Sequence, residues 1–319
     1  MRRGGRAAGT ALGLVAAAGA AALAWGTLIE RNRFQVRQEV VPILAAGARP
    51  ITILHLTDLH MAPWQGVKQD WLARIAEITE PDFVVATGDL LGHERGLEGV
   101  RRAFAPFRER GTPGAFVHGS NDYVGPSVRN PFAYFAGPSG RVREPARLDT
   151  ASLEAFLVDE LGWLDLGNRA RAIELRGSLL ELVGVDDPHV HRDRLDLLPG
   201  LVDRMRESLA DGPGASERAT TIALTHAPYR RVLDAFVTQG ADLIFAGHTH
   251  GGQVRVPGRP ALVTNCDIPP EQAQGLSTWR HARGSSLLEV SAGIGTSIYA
   301  PVRFACPPEA VVLTLTSGR

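Results

Sequence analysis

The chain has 319 residues, which is enough for one large domain with a two-sheet core. Its 34 Lys and Arg residues balance 34 Asp and Glu residues, so the formal net charge at pH 7 is zero. Because no overall positive field attracts a phosphate backbone, we expect no nucleic acid partner.

The N-terminus contains an uncharged segment, residues 7–29, which follows three arginines. As a helix this segment would span about 35 Å, enough to cross a bilayer. Two interpretations remain open: a retained membrane anchor, or a secretory signal cleaved near residues 22–24. The length of the segment and the membrane-interface position of Trp25 favour the anchor. We therefore predict a signal anchor over residues 1–29, so that the protein crosses the cell membrane once.

Residues 30–50 follow the predicted anchor, and Pro42 and Pro50 interrupt any regular pattern there. This segment is predicted to be a juxtamembrane linker that leads into a catalytic domain over residues 51–319. Three arginines lie on each side of the anchor, so the positive-inside rule does not decide its orientation.

Five β-rich apolar runs in the remaining chain each end in Asp, His or Asn. The runs and the residues that follow them are 51–57 before Asp58-Leu59-His60, 83–87 before Gly88-Asp89, 115–118 before Gly119-Ser120-Asn121-Asp122, 221–225 before His226, and 243–246 before Gly247-His248-Thr249-His250. Open α/β sheets place their sites at the carboxyl ends of strands, so these residues are expected to converge. Carboxylate and imidazole ligands without thiolate suit Mn, Fe or Zn.

Helical patterns alternate with the strands. Apolar residues recur at helical spacing between Val67 and Ile78, and Trp71 in this run is expected to pack in the core. Residues 97–110 predict a second crossover helix that ends before Gly111. This alternation indicates an α/β domain built in layers.

The order D-x-H, G-D, G-(N)-x-D, H, G-H-x-H resembles the calcineurin-like metallophosphoesterases, the superfamily that includes the purple acid phosphatases, and with the anchor it resembles a membrane-anchored bacterial branch. The resemblance implies two mixed β-sheets packed face to face with helices on the outer faces, a four-layer αββα sandwich. It also implies a metal-dependent hydrolase that cleaves a phosphomonoester or phosphodiester with two divalent metal ions and a metal-activated water.

The resemblance also implies a set of metal ligands. One metal would be held by Asp58, His60, Asp89 and His250, and the second would share Asp89 and add Asn121, His226 and His248. Asp89 would bridge the two ions, which a carboxylate can do because it has two oxygens.

The third motif departs from the family's usual G-N-H-D or G-N-H-E, in which the Asn binds metal and the His assists the leaving group. An ungapped match places Ser120 at the ligand position, whereas a slip of one residue makes Asn121 the ligand and puts Asp122 at the His position. We favour Asn121, because an amide oxygen coordinates more readily than a hydroxyl. The predicted catalytic residues are therefore Asn121, Asp122 and His226, with His93 as another candidate proton donor.

The alternative to an enzyme is a non-catalytic interaction module on the same fold that binds metal without turnover. The absent His of the third motif favours this alternative, and the otherwise complete ligand set opposes it.

Two further segments attract attention. The irregular stretch 130–150 follows the third motif and contains aromatic and basic residues, of which Tyr134 and Arg141 are predicted to bind substrate; an ordinary surface excursion is the alternative. The stretch 186–191 contains two Asp and two His residues, for which a turn or a supporting role is favoured over metal ligation.

The predicted anchor favours a lipid-linked phosphate ester, and analogy with anchored bacterial relatives favours an extracytoplasmic domain.

Overall fold

A computed structural model describes residues 3–126, 147–210 and 219–318 of the chain. It begins with helix α1 (Arg3–Ala24), which continues into a π-helical segment, Trp25–Ile29. The span Gly13–Asn32 has a mean hydropathy of 1.5, and only 11% of its most apolar window is buried against the rest of the protein. This helix is long and apolar enough to cross a bilayer, a test that an N-terminal signal sequence also passes.

The described strands form two six-stranded sheets. The first sheet contains, in spatial order, β1 (Gln35–Leu44), β12 (Glu309–Ser317), β2 (Ile51–Leu56), β3 (Phe83–Ala86), β4 (Gly114–Phe116) and β5 (Leu164–Asp165). The second contains β10 (Gly275–His281), β11 (Gly284–Val290), β9 (Leu243–Ala246), β8 (Thr220–Leu224), β7 (Ser178–Gly184) and β6 (Arg169–Leu175). Both sheets are mixed, because β12 pairs antiparallel with β2, and β10 and β6 pair antiparallel with β11 and β7.

The other described α-helices lie in the connections between strands. They are α2 (Gly66–Thr79), α3 (Gly96–Ala103), α4 (Ala105–Arg110), α5 (Ser120–Tyr123), α6 (Thr150–Ala155), α7 (Leu198–Ala210) and α8 (Arg230–Thr238). Because Pro106 lacks an N–H group, the predicted helix over 97–110 is broken at Phe104 into α3 and α4. Its predicted end is correct, since Gly111 caps α4 with φ of 62°.

Three apolar clusters define the layers. One lies between the sheets and includes Ile53 of β2 and Phe245 of β9. The second joins the outer face of the first sheet to α2, α3, α4 and α6, and the third joins the outer face of the second sheet to α7 and α8. Strand β2 contributes side chains to two of these clusters: Ile51 and Ile53 face the other sheet, whereas Leu54 and Leu56 face the helices. The four-layer αββα sandwich is confirmed.

The predicted linker needs correction over residues 35–44. This segment is strand β1, which pairs in parallel with β12 at the edge of the first sheet. Its Val41 and Leu44 side chains are buried in the cluster between the sheets. Pro42 suggested a break in the sequence, but an edge strand tolerates proline where no ladder hydrogen bond is needed, and the register shifts just after it. The folded domain therefore begins before residue 51.

Candidate metal centre

The predicted ligands follow the carboxyl ends of β2, β3, β8 and β9, and the third motif follows β4. Five of them adopt the left-handed backbone conformation that non-glycine residues rarely adopt, and their φ angles are Asp58 51°, His60 41°, Asp89 52°, His248 67° and His250 49°. Asp and His tolerate this region better than branched residues do, and such conformations concentrate at functional sites. The turns therefore aim side chains that a regular strand end would direct elsewhere.

Glycines in the motifs allow these turns to approach one another. A Cβ atom on Gly119 would lie 2.3 Å from Asp89 Oδ1, and one on Gly247 would lie 2.4 Å from Asp58 Oδ2. The backbone N–H of His60 donates to the carbonyl of Asp89 over 2.9 Å, which fixes the first two turns relative to each other. Both glycines are therefore required by space, since neither adopts the left-handed conformation that favours glycine.

Asp58, His60 and His250 form the first cluster. The Nε2 atoms of the two histidines lie 3.1 Å apart, and Asp58 Oδ1 lies 3.5 Å from His250 Nε2 and 3.9 Å from His60 Nε2. Their candidate ligand atoms all lie within 4.8 Å of one another. Two imidazole nitrogens and a carboxylate oxygen that converge in this way can chelate a divalent cation.

The two oxygens of Asp58 differ in a way that fits a metal. Oδ2 accepts hydrogen bonds from the Thr57 hydroxyl (2.8 Å) and the His248 backbone N–H (2.9 Å), whereas Oδ1 is buried and has no hydrogen-bond partner among the described residues. Burial raises the pKa of Asp58 to about 6, even though His226 lowers it. A cation beside Oδ1 would satisfy this oxygen and favour the carboxylate.

Asp58, Asp89 and His226 form the second cluster, with candidate ligand atoms within 4.8 Å of one another, and His248 lies beside them. The Nδ1 atom of His226 lies 2.7 Å from the carbonyl of Thr87, so Nδ1 is the donor and Nε2 is left to face His248 Nδ1 at 3.3 Å and Asp89 Oδ2 at 3.5 Å. His248 Nε2 lies 3.2 Å from the carbonyl of Asn265. Such outer hydrogen bonds fix the tautomer and the ring direction of metal-binding histidines.

Asp89 belongs to the second cluster and also faces the first. Its Oδ2 is 3.6 Å from His60 Nε2 and 3.5 Å from His226 Nε2, so one oxygen faces both groups. Although burial raises the pKa of Asp89, His226, His60 and the Asn121 backbone N–H outweigh it and hold the pKa well below its ordinary value. The pKa of His226 is lowered by burial but raised more by Asp89, so it lies above its ordinary value.

The third motif brings Asn121 to the bridging carboxylate. Its backbone N–H donates to Asp89 Oδ1 over 2.7 Å, and its side-chain amide lies 2.6 Å from Asp89 Oδ2. In this orientation the amide nitrogen donates to Asp89, and the opposite orientation of the amide would present its oxygen to a metal ion. This placement favours Asn121 over Ser120 as the ligand.

Asp122 does not have the environment expected of a residue that assists the leaving group. It is fully buried, and its two oxygens accept hydrogen bonds from the backbone N–H groups of Leu91 and Gly119, each over 3.0 Å. His118 lies behind it, 3.6 Å from Asp122 and 3.2 Å from Glu154. Asp122 therefore ties the third turn to the second, and its geometry does not support a catalytic role.

The structure does not place three other predicted site residues in this centre: two are not described, and His93 has other contacts. Tyr134 and Arg141 lie outside the described residues. His93 stacks edge-on against Trp64 with a centroid distance of 4.9 Å, and its Nδ1 accepts the Arg95 backbone N–H over 3.1 Å.

The stretch 186–191, for which the sequence favours a turn or a supporting role, lies beside His248. The His189 ring lies 4.5 Å from the His248 ring, and His189 Nδ1 lies 3.0 Å from the Tyr229 hydroxyl. Asp187 is buried, and its Oδ2 has no hydrogen-bond partner among the described residues. The strand-end rule that located the other ligands applies here too, because the stretch follows β7 beside β8. The sequence offered no such signal for Asn265.

Comparison with known proteins identifies the family of the chain. The profile of the calcineurin-like phosphoesterase family matches residues 51–252, more than half of the chain. The fold and the site thus define a metallophosphoesterase, and the chain belongs to the calcineurin-like phosphoesterase family.

Individual relatives are distant. The metallophosphoesterase YkuE of Bacillus subtilis (strain 168) is 24% identical over 300 residues, which cover 91% of this chain and 86% of the relative. A transmembrane protein with metallophosphoesterase domain from Bos taurus is 28% identical over 67% of this chain, which spans 44% of the bovine protein. The purple acid phosphatase PPD1 from yellow lupin is 11% identical, with 65% of this chain and 39% of that chain covered and a TM-score of 0.38.

Proposed function

We propose that the protein hydrolyses a phosphomonoester or phosphodiester with two divalent metal ions. The observation that supports this most directly is the convergence of the two clusters: Asp58 belongs to both groups of candidate ligands, and Asp89 Oδ2 lies within 3.6 Å of a histidine from each. Several imidazoles among carboxylates suit Mn, Fe or Zn better than Mg. The family's activity on phosphate esters is consistent with this proposal.

The chain's own residues would bind and orient the reacting groups. Asp58, His60 and His250 would hold one ion; His226, His248 and Asn121 would hold the other, with Asp89 shared. When bound, two such ions polarise phosphoryl oxygens and activate water. These ligands are buried except for His250 and Asn121, which are partly exposed and leave the centre open on their side.

Metal removal tests this proposal directly. The full chain in detergent is treated with a chelator and assayed with bis-p-nitrophenyl phosphate before and after addition of Mn²⁺. We expect hydrolysis to disappear on chelation and to return with two Mn²⁺ ions per chain, since the ions supply the nucleophile. Two bound ions without turnover on mono- and diesters would support the interaction module instead, and failure to bind metal would reject the proposed centre.

We also propose that α1 anchors the protein in the cell membrane with its catalytic domain outside the cytoplasm, where a lipid-linked phosphate ester is a fitting substrate. The length and hydropathy of Gly13–Asn32 support the anchor. On this proposal the chain stays in the membrane fraction after alkaline carbonate extraction, and external protease digests the domain in spheroplasts. Release of a chain that has lost its first residues would instead identify a cleaved signal.

A further inference from the structure

Arg303 is a fully buried arginine that lies behind the first cluster. Its guanidinium donates to main-chain carbonyl oxygens, with distances of 2.7 Å to Ala292, 3.1 Å to Gly293, 2.6 Å to Gly295 and 3.4 Å to Cys306. Burying a charged group is costly unless its hydrogen bonds are satisfied. The hydrogen bonds to carbonyl oxygens offset part of this cost. The neighbours of Arg303 indicate what the buried side chain does.

The carbonyls that Arg303 binds belong to a segment packed directly on Asp58. The backbone N–H of Gly295 donates to the carbonyl of Asp58 over 2.6 Å. A Cβ atom on Gly293 would lie 2.6 Å from the Asp58 Cβ, so the segment 292–295 has no room to shift toward the ligand. By binding these carbonyls, Arg303 holds in place the backbone segment that contacts Asp58.

Arg303 and its neighbour Cys306 also contact the second ligand of this cluster. The guanidinium Nη2 lies 3.4 Å from Nδ1 of His250, on the side of the ring opposite the nitrogen that faces His60. The Cys306 thiol lies 3.3 Å from the His250 carbonyl. The same short stretch of chain therefore touches both the ring and the backbone of His250.

The same stretch is attached to the end of the N-terminal helix. The backbone N–H of Arg303 donates to the carbonyl of Gly26 over 3.1 Å, and that of Cys306 donates to the Glu30 carboxylate over 2.7 Å. Glu30 is itself held by the Trp25 indole N–H over 2.8 Å. A Cβ atom on Gly26 would lie 2.6 Å from the Arg303 carbonyl oxygen, so the helix and the segment meet at closest approach.

From these contacts we infer that Arg303 is a positioning residue for the metal ligands Asp58 and His250, and that docking of residues 25–30 keeps it in place. The inference rests on the proposed dimetal function and adds to it: the metal site nearest Asp58 and His250 depends on the end of the N-terminal helix. Among the described residues, the other site, formed around His226 and His248, is linked to these contacts only through Asp58 and should depend on them less.

The test measures metal binding in the full chain in detergent, with Mn²⁺ titrated into the chelator-treated protein and followed by electron paramagnetic resonance. Loss of outer hydrogen bonds typically weakens metal binding about 10–100-fold. For Arg303→Met we expect a loss of that size at one of the two sites, with the second site changed less. Gly26→Ala, which leaves every site residue in place, should weaken the same site by a smaller factor.

Arg206→Met is the matched control. This arginine binds the buried Glu181 carboxylate over 2.7 Å in the middle of β7, a strand that supplies no proposed ligand, so its loss should lower thermal stability without changing Mn²⁺ binding. Arg303→Lys and Gly26→Ala provide the test if Arg303→Met fails to fold, as judged by circular dichroism. Equal weakening of both sites, or wild-type binding in folded Arg303 and Gly26 variants, would overturn the inference. A wild-type chain that binds no metal pair would reject the proposed function instead.

Discussion

Replacement of Asp89 by Asn is expected to lower kcat/KM for phosphoester hydrolysis by about 1,000-fold. A bound metal contributes several kcal/mol of charge stabilisation in the transition state, and about 4 kcal/mol corresponds to three factors of ten. Asp89 Oδ2 is the oxygen that faces His60 and His226 together, so its loss affects both clusters. The amide has nearly the same shape, and Asn121 can still donate its backbone N–H to residue 89.

The measurement combines steady-state kinetics with metal content after dialysis, where we expect fewer than two ions per chain. Asp82→Asn is the matched control, because Asp82 precedes the same strand that Asp89 follows and its carboxylate accepts the Thr52 backbone N–H over 2.8 Å. That control should keep both metals and nearly full activity. An Asp89→Asn variant with two ions and wild-type turnover would remove Asp89 from the centre.

Replacement of Arg37 by Met is expected to lower the free energy of unfolding by about 3–5 kcal/mol, the usual effect of removing one partner of a buried ion pair. Arg37 in β1 pairs with Glu289 and, over 3.2 Å, with Glu309, and both glutamate side chains have no exposed surface. Its loss leaves two buried carboxylates without their shared cation. Arg194→Met is the control, since Arg194 and Asp196 form an exposed pair and surface pairs contribute about 0–1 kcal/mol.

The Arg37 effect should depend on pH in a defined direction. Burial raises the pKa of Glu289 from 4.5 to about 7, although Arg37 lowers it. A carboxyl group whose pKa is raised in the fold contributes stability below pH 4.5, and this contribution is lost as pH rises through 7. Without Arg37 the pKa rises further, so urea unfolding should show a small difference between variant and wild type at pH 5 and a large one at pH 8. Equal differences at both pH values would contradict this account.

Much of the site could be predicted from the sequence because each ligand sits at the end of a short apolar run. The two sheets and the sandwich followed from the resemblance that those motifs supported, and residues 51–252 match the family they indicated. The prediction of a linker over residues 30–50 failed at residues 35–44, where the local pattern and the tertiary contacts disagree. Pro42 indicated a linker, yet residues 35–44 form an edge strand because Val41 and Leu44 find partners between the sheets.

The sequence by itself determined which residue types stand at the strand ends, and hence the metal chemistry, because strand alternation and turn glycines are local properties of the chain. Only the tertiary structure decided which of those residues meet. In the structure Asn121, rather than Ser120, contacts Asp89. Both oxygens of Asp122 accept hydrogen bonds from backbone N–H groups, and Arg303 contacts His250. Such contacts join residues far apart in the chain, and Arg37 and Glu289 are 252 positions apart. No local pattern encodes their pairing, since it depends on how the two sheets and the N-terminal helix pack together.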